Sequence, residues 1–332
     1  MFRIDRFLTL HVFTHLNRVL RQPRGIRIPI LMYHSICDEP EKGHPYFWIN
    51  TSQKRFAEHM KFLHDNNYKV IDLSEAVRLI SDSRGSPNLP TFHHSNIPQK
   101  KVVLTFDDGY ADFYTHAFPV LQGYGFTATV FLPTDYIGNG RPGLCGKEHL
   151  TWDQVRDLAA AGVAFGSHTV SHPQLYHLQA DRIEYELRES KEAIESHLNQ
   201  TVISANPKPE TYDGSLNQSA DQPIDRSLAI PVRVDSFCYP YKFPEQDTRF
   251  VAALREALVW SGYHCCLSTR VGVDHEREEL FALKRIPVNG GDELSLFKAK
   301  LKGAYDWVSK VQRLKKGLRS GSQKRQTSPR YL

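Results

Sequence analysis

No apolar run in this chain of 332 residues is long enough to cross a bilayer, so no membrane-spanning helix is expected. The first stretch is interrupted by His11, His15 and Asn17 and has no small-residue cleavage site, which argues against a secretory signal. Cysteine is sparse and odd in number: Cys37, Cys145, Cys238, Cys265 and Cys266, with no Cys-x-x-Cys pair. A disulfide framework is therefore not expected, and a reducing, cytoplasmic setting fits better. Acidic residues are almost missing from both ends. Residues 1–27 hold six arginines against one aspartate, and residues 298–332 hold eleven lysines and arginines against one aspartate. The whole chain is only +5, so the body between the ends carries a net ten negative charges. That balance argues against a nucleic-acid-binding core. It places any anionic partner, such as an anionic membrane surface, at the ends.

What is present is a regular alternation of short apolar runs with amphipathic stretches. Residues 1–27 form a basic, roughly amphipathic segment, with Phe2, Phe7, Val12, Phe13, Leu16, Val19 and Leu20 among arginines and histidines. Such a segment suits either a membrane surface or docking on the domain. Ile28–Tyr33 reads as the first strand and ends at His34. A loop with Tyr46, Phe47 and Trp48 follows, then a helix from Ser52 to Asn67, a short strand Lys69–Asp72, and a helix through Ile80 with Ser74 as its cap. Strands are expected at 101–106, 127–132, 163–166, 234–239, 263–267 and 283–288. Helices are expected from Thr151, whose spacing to Gln154 is that of a capping box, from Asp181 and from Asp247. Residues 203–232 are dense in Pro, Asn, Asp, Ser and Gln and read as an inserted flexible loop. Residues 306–332 read as a basic, disordered tail.

Strands alternating with helices imply a parallel sheet with right-handed crossovers. The expected class is α/β, a distorted (β/α) barrel of seven or eight parallel strands over residues 28–305. In such barrels polar groups at the C-terminal ends of strands form the active site. Here they are His34, the Asp107-Asp108-Gly109 turn, His168 with His172, and Tyr239 with Tyr241. Two adjacent carboxylates at a strand end repel unless a positive charge sits beside them. His168 and His172 have the spacing that one helical turn would bring to one ion. Two histidines and a carboxylate leave a metal with open positions for water and substrate.

Thr105-Phe106-Asp107-Asp108-Gly109-Tyr110, Ser167-His168-Thr169-Val170-Ser171-His172 and Phe237-Cys238-Tyr239-Pro240-Tyr241 occur in that order. Together they resemble the successive motifs of the NodB-homology polysaccharide deacetylases, carbohydrate esterase family 4. Pro29–His34 and Leu283-Lys284-Arg285-Ile286 resemble the branch with an extra first strand. The resemblance implies that Asp108, His168 and His172 bind a divalent metal, usually zinc, though other transition metals occur. It implies that Asp107 is the general base and that the Tyr241 backbone N–H stabilises the oxyanion, with an N-acetylated glycan or its precursor as substrate. The chain departs from the pattern in three places. Lys242 stands where glycine commonly follows Tyr-Pro-Tyr, the 203–232 insertion is present, and Leu283–Asn289 lacks the late histidine that serves as general acid. His34 is the substitute candidate for that acid and His275 a weaker one. Two alternatives stay open: a deformylase or other amidase acting on a lipid-linked or small aminosugar, and an inactive glycan-binding relative.

Overall fold

A computed structural model describes residues 3–20, 25–82, 100–138, 140, 143–204, 231–309 and 311. Eight short apolar segments become strands: β1 (Ile30–Tyr33), β2 (Tyr68–Val70), β3 (Lys100–Phe106), β4 (Thr129–Leu132), β5 (Ala164–Ser167), β6 (Ser236–Cys238), β7 (Cys265–Val271) and β8 (Leu283–Pro287). All of their pairings are parallel, in the order β1-β8-β7-β6-β5-β4-β3-β2. The ring closes because β1 also pairs with the second half of β3, Ile30 opposite Val103 through Tyr33 opposite Phe106. Seven strands thus form a closed barrel. The eighth, β2, lies beside the first half of β3.

Successive residues of a strand point to opposite faces. Here the two faces feed two cores. Ile30, Val103, Phe131, Cys238, Leu267 and Leu283 pack together on the inner side. The same cluster takes in Ile71, Leu73, Ala76 and Ile80, so the Leu73–Asp82 helix plugs one end of the barrel. Leu31, Leu104, Phe106, Val130, Leu132, Phe237 and Ile286 face outward against the helices. Both faces are buried, which is why the strands read as continuous apolar runs rather than alternating ones.

Local signals set the helix ends. Thr151 and Gln154 form the expected capping box, and Asp247 accepts the Phe250 N–H. The cap at residue 74 is corrected: the Asp72 carboxylate accepts the Glu75 N–H, so Asp72 caps the Leu73–Asp82 helix and Ser74 lies within its first turn. The expected divisions at 27 and 305 have contacts across them. Residues 3–20 pack on the body, Phe13 stacks on Trp307 with ring centroids 4.8 Å apart, and Val308 is buried. Most of the 203–232 insertion and of the C-terminal tail lies outside the described residues.

Candidate active site

The Asp107-Asp108 pair sits where β3 runs out. The Asp107 N–H still donates to the Tyr33 carbonyl, so Asp107 continues the ladder and falls on the inner face with Val103 and Thr105. The chain then turns sharply, with φ of 70° at Asp108 and 60° at Gly109. A Cβ on Gly109 would lie 2.8 Å from Leu132 and 3.1 Å from Ile137, so glycine is required both for the turn and for the close approach.

On the inner face Arg285 of β8 meets Asp107. Its Nη1 donates to Asp107 Oδ1 at 2.7 Å, and its Nε donates to the Ser268 carbonyl at 3.0 Å. Both partners are fully buried. Burial pushes the Asp107 carboxyl up, but the Arg285 guanidinium, aided by His168 and His34, outweighs it and holds the group below its usual value. Asp107 is therefore an ionised carboxylate at neutral pH. Its other oxygen, Oδ2, lies 4.0 Å from His34 Nε2. Sequence reasoning assigned no role to Arg285. The available signal was a pair of adjacent charged residues inside a short strand, Leu283-Lys284-Arg285-Ile286, one of which has to face the barrel interior.

His168 and His172 converge on Asp108, but not through a helical turn. His168 follows β5, donating its N–H to the Leu132 carbonyl. The chain then loops with positive φ at Thr169 (71°) and His172 (54°). The loop is pinned by the buried Glu186 carboxylate, which accepts from Val170 N at 2.8 Å, Ser171 N at 2.9 Å and Ser171 Oγ at 2.7 Å. Nε2 of His168 and of His172 lie 3.4 and 3.3 Å from Asp108 Oδ1.

The donor set fits a divalent cation. The Cys238 carbonyl, which can only accept, lies 2.7 Å from His168 Nδ1 and fixes the N–H there. The Nε2 lone pair is thereby turned toward the Asp108 oxygen, and two acceptors facing each other are reconciled by a positive ion between them. Asp107, His168 and Cys238 also bring ligand atoms within 4.8 Å of one another. That triple fits less well, because burial pushes the Cys238 thiol up and away from the thiolate a metal needs.

A further histidine, His149, braces the same turn. His149 Nε2 accepts the Leu144 N–H at 2.9 Å, which leaves Nδ1 to donate to the Asp108 carbonyl at 2.8 Å. It ties the Asp108 turn to the pocket wall at Leu144 and Cys145. The pocket holds about 1060 Å³, and Asp107, Asp108, His168, His172, His34 and Tyr241 all line it. Its remaining wall is largely apolar, from Met32, Tyr46, Phe47, Ile49 and Leu144. Tyr241 has φ of 56° and its ring packs on His172 with centroids 4.7 Å apart. Among the described residues no acceptor takes its backbone N–H. His275 is not part of the site. It is buried where Asp274–His275 pairs with Ile26–Arg27, and its Nε2 contacts the Ile28 carbonyl. The adjacent pair His93-His94 lies outside the described residues.

The chain is similar to several known proteins. A family model described as polysaccharide deacetylase matches residues 94–223. YxkH of Bacillus subtilis, whose name places it among the polysaccharide deacetylases, is 34% identical over 187 residues, covering 56% of this chain and 58% of its own. The poly-beta-1,6-N-acetyl-D-glucosamine N-deacetylase of Escherichia coli K12 is 32% identical over 148 residues, 42% of this chain and 20% of its own. The chain thus spans less than two thirds of either relative's length. Among solved structures, the Streptococcus pyogenes deacetylase PplD in complex with acetate superimposes with a TM-score of 0.61 at 21% identity, over 84% of this chain and 99% of that one. IcaB from Ammonifex degensii gives 0.59 at 19% identity, over 84% and 98%. These two likenesses establish the fold, the closed parallel barrel. In sequence, residues 94–223 match the polysaccharide deacetylase model, and the chain is similar to polysaccharide deacetylases.

Proposed function

We propose that the pocket hydrolyses the N-acetyl amide of amino-sugar units in a glycan or its precursor, with a divalent metal, zinc foremost, held by Asp108, His168 and His172. The observation that carries the reading is the convergence of an ionised carboxylate, Asp107, and a three-residue donor set in one pocket at the strand ends. The relative named as acting on poly-beta-1,6-N-acetyl-D-glucosamine supports the same substrate class. The ion supplies Lewis acidity at the amide carbonyl and lowers the pKa of the attacking water. Asp107 takes that water's proton. Arg285 occupies one Asp107 oxygen and leaves Oδ2 for the task. The unpartnered Tyr241 N–H donates to the oxyanion as the carbonyl becomes tetrahedral. His34, beside Asp107 Oδ2, delivers the proton that the leaving amine needs in place of the missing late histidine.

The apolar wall of Met32, Tyr46, Phe47, Ile49 and Leu144 favours one further reading, a lipid-linked aminosugar as the substrate or a different acyl group on it. The test is acetate release from chitooligosaccharides, partially acetylated exopolysaccharide and a lipid-linked N-acetyl aminosugar, with and without a chelator. Asp107→Asn is expected to keep the metal and lose turnover by about a hundredfold or more. Asp108→Asn is expected to lose metal in elemental analysis. No acetate or formate from any amino sugar in a metal-loaded sample, with glycan binding retained, would assign the pocket to an inactive glycan-binding relative instead.

A further inference from the structure

An arginine is seldom buried unless it is paired, because its charge cannot be shed. Arg3 is buried at the head of a helical segment that runs through Ile4–Leu8, Thr9–Phe13 and Thr14–Leu20. Asp5 of the same segment accepts from its Nε at 3.2 Å and from its Nη2 at 2.7 Å. Asp5 is fixed in turn by the Tyr305 hydroxyl, which donates to it at 2.9 Å. Asp5 alone would balance the charge. The remaining nitrogen, Nη1, reaches a turn 288 residues away, where it donates to the Gly291 carbonyl at 2.7 Å and lies 3.5 Å from Asp292 Oδ1. Among the described residues no other group donates to that carbonyl.

That turn, residues 289–292, follows β8 at the end of the barrel that carries the pocket. Lys300 ties one side of it down, donating to Asp292 Oδ2 at 2.6 Å and to the Pro287 carbonyl at 2.7 Å. The other side holds the pocket wall. Asn289 Nδ2 donates to the Pro45 and Trp48 carbonyls at 2.8 and 3.0 Å, and the Gly290 N–H donates to the Asn50 carbonyl at 2.7 Å. Between these anchors lie Tyr46, Phe47 and Ile49, which line the pocket. Asn289 is oriented for the task by the Gly291 N–H, which donates to its Oδ1 at 3.0 Å. A Cβ on Gly291 would lie 2.6 Å from Arg3 Nη1 and 3.1 Å from Pro45, so the arginine and the loop close on the same glycine. We propose that Arg3 is a positioning residue: by holding the 289–292 turn it fixes the wall of Tyr46, Phe47 and Ile49 against which the amino-sugar substrate binds. The identity of that substrate rests on the deacetylase reading, and the support of the wall rests on these contacts alone. Among the described residues the turn makes no hydrogen bond or ion pair to Asp107, Asp108, His168 or His172, so its effect falls on binding rather than on the chemical step.

The test compares Arg3→Met, Arg3→Lys, Gly291→Ala and Asn17→Ala in the full-length protein. Asn17 donates to the Gly303 carbonyl at 2.9 Å, so its variant loosens the same helical segment without touching the turn. Arg3→Met is expected to raise KM for the N-acetyl sugar turned over by about fivefold, with kcat within about twofold. In hydrogen exchange followed by mass spectrometry, the amides of residues 46–50 are expected to exchange about tenfold faster, with those of β8 unchanged. Lysine keeps the charge and a donor, so Arg3→Lys is expected to recover most of both effects. Gly291→Ala forces Arg3 and Pro45 apart and is expected to reproduce both effects, which decides the matter even if Arg3→Met fails to fold. Asn17→Ala is expected to match the wild type. Unchanged KM and exchange in Arg3→Met, a loss in kcat rather than KM, or a lysine variant no better than methionine overturns the proposal. So do equal effects in Asn17→Ala, which would assign them to helix docking in general. The exchange measurement needs neither metal nor glycan. A wild type that releases no acetate therefore defeats the deacetylase reading, while the exchange comparison still decides whether Arg3 holds the wall.

Discussion

The division of labour between two adjacent carboxylates is decided residue by residue. Asp107 is held by a guanidinium on the barrel's inner face, and Asp108 is turned by a positive φ toward two imidazoles. Breaking a buried ion pair by removing one partner leaves a charge without compensation. Arg285→Met is therefore expected to destabilise the fold by about 3–5 kcal/mol in denaturant unfolding. It is also expected to move the acid limb of the rate profile upward, since Asp107 then loses the charge that holds its pKa down. His34 has a different signature. His34→Gln is expected to lower kcat on an N-acetyl sugar about a hundredfold with little change in KM. Its hydrolysis of 4-nitrophenyl acetate, whose leaving group needs no proton, is expected to stay near wild type. Equal losses on both substrates would remove His34 from the role of acid.

At the scale of elements, the loop after β5 is the least obvious part of the site and the most dependent on support. Its two histidines stand four residues apart, yet positive φ at Thr169 and His172 rules out a helical turn. The Glu186 carboxylate replaces the helix's own hydrogen bonds with three to the loop. It comes from the long Ala180–Ser204 helix, so the loop is positioned by packing elsewhere in the molecule. Groups that orient a metal ligand typically carry a 10- to 100-fold share of metal affinity. Glu186→Gln is expected to weaken metal binding by about that range in a competition titration. The Ala180–Ser204 helix itself is expected to keep its far-ultraviolet signal.

For the whole molecule, two buried histidines link stability to pH. His59 accepts from Tyr33 at 3.1 Å and contacts the Asp292 carbonyl at 2.9 Å, while His275 meets the Ile28 carbonyl at 3.0 Å. Burial pushes both down to about 4. An unfolded histidine titrates near 6.5, so between about 6.5 and about 4 the unfolded chain binds more protons than the folded one. Their stabilisation is fully present above about pH 6.5 and is lost as pH falls toward 4, by up to roughly 3 kcal/mol for each. Melting temperature is expected to fall across that window, and His275→Gln is expected to flatten part of the fall. A flat profile from about pH 7 to about pH 4 would contradict the assignment.

The sequence by itself determined the barrel class, the positions of its strands along the chain and the strand ends that carry Asp107, Asp108, His168, His172 and Tyr241. Short apolar runs, turn residues and caps are local signals, and each lies within a few residues of the feature it specifies. Thr151 with Gln154 and Gly109 show this directly. What the tertiary structure alone decided lies between segments far apart in the chain. The pairing of Arg285 with Asp107 spans 178 residues, and the closure of β1 on β3 is visible only once both strands share a sheet. The same holds for which side of the N-terminal helix faces the body. Composition suggested that its apolar residues would turn inward or toward a membrane. The buried partners of Arg3, Asp5 and Thr9 near the other end of the chain settled which side chains went in. Such contacts are fixed by where the fold brings distant residues together, and no local pattern of residues encodes that.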